Sequence, residues 1–229
     1  MIKKPFASRI RSLAERLRND NSGLALTEFA LSLPILLTIS VTGVEVASFV
    51  NANMRVSQIA LSVADNTGRV RQAITENDID SAMIGARIAG ETIDFAANGR
   101  VILSTIEPNG LASPNTGQKI LNQRCFGAKA VASSYGVTGD GATNASLATG
   151  VGPAGNQIRA ATGAAVMFVE VQYDYQPIFL VDNSLIDNLG GRTMQFTAAY
   201  PVRERYANNI QAGTLPVAKR RMCNVFTAV

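Results

Sequence analysis

A chain of 229 residues is long enough for one ordinary domain plus an anchor and short for two full domains. The net charge of +4 would suggest nucleic acid if it were spread over the chain. Residues up to Asp20 hold the whole excess, with Lys3, Lys4, Arg9, Arg11, Arg16 and Arg18 against Glu15 and Asp20, so the neutral remainder excludes a nucleic-acid-binding body. No histidine occurs, which removes Ser-His-Asp catalysis and histidine-ligated metal sites.

The first 23 residues are polar and basic, with Ile10, Leu13 and Leu17 among the arginines. From Phe29 to Val44 no residue is charged, and the apolar character continues to Val50 with only Glu45 interrupting. As helix this stretch is about 33 Å long, enough to cross a hydrocarbon core of ~30 Å. The basic flank places the N-terminus in the cytoplasm and the body outside. Glu28 stands at the mouth of the segment, where a carboxylate is expensive to desolvate and is a functional candidate by default. The plainer alternative is a glutamate that reaches the headgroups.

Within the segment, Pro34 lacks an N–H and clashes with the carbonyl of Ala30, so a kink is predicted there. Gly43 and Ala47 form a small-xxx-small pair, with Ser40 on a neighbouring turn. They read as a helix–helix contact face or as small residues there by chance. Glu45 reads as a solvated residue near the outer headgroups, with pairing to a partner as its alternative.

Gly23 followed by Leu24 and, five positions after the glycine, Glu28, with basic residues before and an apolar helix after, resembles the prepilin-type processing site. In that family a membrane peptidase cuts after the glycine on the cytoplasmic side and leaves the apolar segment as anchor and assembly helix. The run Glu28-Phe29-Ala30-Leu31, with Pro34 three residues on, is similar to TadE-like pseudopilins of tight-adherence (Flp) pilus systems. These carry Glu-Phe where the major Flp pilins usually carry Glu-Tyr. Leu24 departs from the phenylalanine common after the cut in other type IV pilins.

The resemblance covers about residues 23–50 and implies three parts: a basic cytoplasmic leader (1–23), a transmembrane and assembly helix (24–50) and an exported domain (51–229). It implies prepilin peptidase, other pilins or pseudopilins, the inner-membrane assembly platform and the lipid bilayer as partners. It also implies that Glu28 pairs with the amine created at Leu24, on its own chain or a neighbour's.

After Asn51 and Asn53, Val56, Ile59, Ala60 and Val63 recur at helical spacing, predicting that the anchor continues as a helix ending near Gly68. Thr75 with Asp78 predicts a capping box opening a second helix, with Ile79, Met83 and Ala86 on one face, fading by Asn98-Gly99. Val101–Ile106 reads as a strand, and Lys119–Phe126 as a short strand or helix. From Val166, Met167, Val169, Val171, Tyr173 and Tyr175 alternate with Glu170, Gln172 and Asp174; Arg192–Tyr200 repeats the alternation up to Pro201. Such alternation predicts antiparallel strands with one buried and one wet face. Arg221–Phe226 reads as an added edge strand carrying Cys223. The tract 135–157, rich in Gly, Ala, Thr, Ser and Asn, reads as a mobile surface loop, with a partner-binding tip as its alternative. Helices first and strands afterwards argue for an α+β domain, with helices packed on a small antiparallel sheet; that is also the layout the resemblance implies.

If the part after the apolar segment is exported, a disulfide between Cys125 and Cys223 would close a loop of roughly a hundred residues and stabilise by about 4–5 kcal/mol. In a reducing compartment they would be free thiols. Neither a zinc site, a phosphate cradle, a calcium loop nor a working carboxylate pair emerges, so no cofactor, metal or enzymatic activity is expected. The expected role is structural: a minor pilin or pseudopilin held in a bacterial inner membrane with its C-terminal domain periplasmic. The alternative is an uncleaved single-pass protein whose exported domain binds a ligand or scaffolds a secretion or pilus complex.

Overall fold

The computed structural model describes residues 11, 14–16, 18, 22–71, 73–179, 191–202 and 208–228. Most of the basic leader therefore lies outside the described residues. By its internal contacts the chain divides into two units, Met1–Ala47 and Ser48–Val229.

The first unit is helical from Ser22 onward, as the start of a 47-residue helix, α1 (Ser22–Gly68). Three of its hydroxyls bond back to the helix's own carbonyls. Thr27 Oγ1 donates to the Leu24 carbonyl at 2.8 Å, Ser32 Oγ to Phe29 at 3.0 Å and Thr38 Oγ1 to Pro34 at 2.8 Å. Helical order continues through Pro34.

The second unit begins with the rest of α1, where Phe49, Ala52, Val56, Ile59, Ala60, Val63 and Ala64 are buried. Spacings of three and four residues put them on one face. Helix α2 (Glu76–Ala89) opens on a capping box: the Thr75 side chain accepts from the Asp78 N–H, and the Asp78 carboxylate accepts from the Thr75 N–H at 2.8 Å. Ile79, Ala82, Met83 and Ala86 form its buried face. The helical region predicted to fade by Asn98 is broken instead. Helix α2 stops at Gly90, a 3-10 turn follows at Glu91–Ile93, and a single turn, α3 (Phe95–Asn98), leads into the sheet.

Four strands follow: β1 (Gly99–Pro108), β2 (Gln118–Phe126), β3 (Ala165–Asp174) and β4 (Thr193–Val202), in the order β2-β1-β3-β4 with every neighbouring pair antiparallel. Pro201 does not end β4, which runs one residue further; proline is tolerated on an edge strand because no ladder donor is needed on its outer side. One sheet face, with Val101, Leu103, Met167, Val169, Val171 and Tyr173, packs with the buried faces of α2 and of α1 from Phe49 on. The unit is thus an α+β domain with helices on a small antiparallel sheet.

The second sheet face is not wet. Strand β3 is buried along nine of its ten residues, including Glu170 and Gln172. The long connection between β2 and β3 folds over that face. Val151 and Ala160 pack with Ile106, Ile120, Val166 and Phe168, joined by Tyr135, Leu147 and Ile158. The tract 135–157 is accordingly no free surface loop. It lacks helix and strand, but its backbone is tied down: Gln118 N–H donates to the Leu147 carbonyl at 3.1 Å and Gly139 N–H to the Ile120 carbonyl at 2.8 Å.

Candidate functional site

Sequence reasoning places the functional residues of the first unit on α1, and all are exposed there. Gly23, Leu24, Glu28, Phe29, Pro34, Gly43 and Ala47 each present surface. A Cβ added at Gly23 or Gly43 would meet no atom of the described residues within 4 Å. Gly43 and Ala47, four residues apart, share a helix face. The Glu28 side chain has no hydrogen bond or ion pair among the described residues.

Ten large apolar side chains between Leu24 and Val44 are also exposed. Such a sleeve is far larger than the apolar patches monomeric soluble proteins leave in water. The helix is long and apolar enough to cross a membrane. Glu45 departs from expectation: it is 1% exposed rather than solvated.

In the second unit, Cys125 of β2 and Cys223 near the C-terminus are joined in a disulfide across 98 positions. The segment carrying Cys223 is not the predicted strand. Residues 221–226 follow an irregular path without strand pairing among the described residues, and an isolated antiparallel bridge joins the next residue, Thr227, to Gly127. Side chains and single backbone bonds pin it instead. The Cys125 N–H donates to the Arg221 carbonyl at 2.7 Å, and Arg221 pairs with Asp80 at 2.7 Å. The Arg100 guanidinium donates to the carbonyls of Gly127 (2.7 Å), Val225 (2.8 Å) and Cys223 (2.7 Å), and lies 4.3 Å over the Phe226 ring. Arg100 is 1% exposed, and burial pulls its pKa down from the ordinary value. The segment is best described as a strap fastened over the β2 end of the sheet.

Two further polar clusters escaped the sequence reading. Glu76, buried in the first turn of α2, accepts from Arg124 Nε at 3.1 and 2.9 Å and from its Nη2. Glu170, expected on a wet face, accepts from Ser133 Oγ (2.9 Å), the Ser134 N–H (3.0 Å), Gln172 Nε2 (2.9 Å) and Gln195 Nε2 (2.9 Å). Burial, and next the Glu170 charge, push the Tyr135 phenol upward. The alternation that looked like a wet face is a buried acceptor surrounded by donors. Its signal in the sequence was the Ser133-Ser134 pair, which nothing local connects to β3.

Tyr173 is buried with its hydroxyl donating to the Ile93 carbonyl at 2.6 Å; its pKa is pushed up to about 12, chiefly by burial. Among the described residues, no group of three or more cysteine or carboxylate side chains is arranged to hold a metal.

No family model, curated protein or solved structure matches this chain. What stands on geometry is an α+β domain and a helix long and apolar enough to span a membrane.

Proposed function

We propose that this chain is a membrane-anchored minor pilin or pseudopilin of the tight-adherence type, cut after Gly23 by a prepilin peptidase and used in assembling a surface fibre. The observation that carries the reading is the exposed apolar sleeve of α1, with Gly23 immediately before it and Glu28 within its first turns. A bilayer, or the packed helices of neighbouring subunits, would cover that sleeve. Glu28 would then lie in a low-dielectric setting, where an unpaired carboxylate costs several kcal/mol and the amine of Leu24 becomes its natural partner. The Cys125–Cys223 disulfide supports export, because such bonds persist in oxidising compartments and are rare in the cytosol. The basic residues before Gly23 favour a cytoplasmic N-terminus and a periplasmic body.

The deciding experiment is the intact mass of the chain made with and without its cognate prepilin peptidase. A peptidase-dependent loss equal to Met1–Gly23 is expected. An unchanged mass would turn the reading to an uncleaved single-pass protein. Glu28→Ala is expected to leave cleavage intact and to impair incorporation into the fibre.

A further inference from the structure

The strap at the C-terminus leaves a hollow of about 380 Å³ whose lining includes Asp80, Phe126, Lys219, Arg220, Arg221 and Met222. Its charge is unbalanced: three cations face one acid, and that acid is already held by Arg221 at 2.7 Å. The side chains of Lys219 and Arg220 have no hydrogen bond or ion pair among the described residues, and Arg220 Nε is shielded from solvent with no acceptor. Beyond Asp20 the chain has as many acidic as basic residues, so two cations unpartnered among the described residues in one hollow are a local feature and not a property of the surface at large. The lining also includes the apolar side chains of Phe126, Met222 and Val225, beside Thr227. The strap is fixed immediately after the cations, by the Arg221–Asp80 pair, the disulfide and the Arg100 bonds to Cys223 and Val225.

We propose that this hollow binds a carboxylate carried on an apolar chain. The carboxylate would take hydrogen bonds from the Arg220 guanidinium, whose planar fork matches two carboxylate oxygens, with the Lys219 ammonium as a second charge. The apolar part would lie between Phe126, Met222 and Val225. The same chemistry has two sources, a small free organic acid or an acidic side chain next to an apolar one in a neighbouring polypeptide. The inference does not depend on the pilus reading.

The test uses the full chain in detergent micelles and titrates four probes by calorimetry: hexanoate, hexylammonium, acetyl-Leu-Glu-Leu-amide and acetyl-Leu-Gln-Leu-amide. The acids are expected to saturate a single site at least about tenfold more tightly than their amine or amide counterparts, and to weaken as salt is raised. Hexanoate binding as tightly as the acidic peptide identifies a small acid as the ligand, and preferential binding of the peptide identifies a chain segment. The double variant Lys219→Gln/Arg220→Gln removes no internal bond. It is expected to lower affinity about tenfold or more with an unchanged unfolding temperature. Arg220→Lys, which keeps the charge and loses the fork, should fall between. No saturable binding of either acid, equal binding of acid and amine, or affinity untouched in the double variant would overturn the proposal.

Discussion

Arg100 Nη2 donates to the carbonyl of Cys223 at 2.7 Å, so the residue that closes the disulfide also accepts from a buried cation 123 positions earlier in the chain. The covalent link and the charge-assisted bonds hold the same strap. Replacing Arg100 by methionine keeps much of its apolar stem and removes the donors to Gly127, Cys223 and Val225. We expect a loss of about 3 kcal/mol, because those carbonyls lose charged donors. Reducing the disulfide should cost about 4–5 kcal/mol in the chain-entropy model. Because both act on one strap, the combined loss should be smaller than the sum. Thermal unfolding of the full chain in detergent, with and without a dithiol reductant, checks this; strict additivity would refute the coupling.

Glu76 and Arg124 make a second fixed point, joining the first turn of α2 to β2. Glu76 is 2% exposed and the Arg124 side chain 14%, so neither is well solvated once its partner is gone. Glu76→Ala should destabilise the domain by roughly 3–5 kcal/mol, the range for leaving one member of a buried pair uncompensated. Replacing both with apolar residues of similar volume should recover much of that loss. Equilibrium unfolding of the single and paired variants separates these outcomes.

The Tyr173 phenol supplies a pH prediction whose sign is fixed. Burial favours its neutral form, so its folded pKa of about 12 exceeds the ordinary value of 10.0. Between those values the unfolded chain releases the proton while the folded chain keeps it. Stability from this group is therefore complete below pH 10 and is lost as pH rises toward 12, by about 2–3 kcal/mol in all. Ultraviolet titration of tyrosinate should show a late step in the folded protein that is absent in Tyr173→Phe.

These three relationships also mark where sequence reading ran out. The capping box at Thr75 and Asp78 and the end of α1 at Gly68 are set by residues a few positions apart, and both were legible. Strand β2 was not, because its period is interrupted: Thr105 faces Asn122 while Ile106 faces Ile120, leaving Leu121 as an extra residue that breaks the alternation. The strap was mistaken for a strand because a short mixed run beside a cysteine looks the same whether a ladder or an arginine holds it. Buried Glu170 was mistaken for a wet residue because polar alternation on β3 cannot report that the chain from Ser133 to Ala160 returns to cover it. The apolar helix needed no such return, which is why composition alone revealed it.

Glu170 offers the sharpest test of that covered face. All of its neighbours are donors: Ser133 Oγ, the Ser134 N–H, and the amides of Gln172 and Gln195. An ionised carboxylate is acceptor-only and suits such a ring, whereas a glutamine would bring two donors of its own against at least one fixed N–H. Glu170→Gln, nearly isosteric, should therefore still cost about 1–3 kcal/mol, and Glu170→Ala more, since it strips every donor of its acceptor and opens space beneath the loop. Hydrogen exchange at the Ser134 amide should accelerate in both variants while amides in the centre of α2 change only with global stability. If the Ser134 amide exchanges at the wild-type rate in Glu170→Ala, the carboxylate does not hold the loop to the sheet, and residues 133–160 are held by the apolar cluster around Val151 and Ala160 and by the backbone bonds to β2.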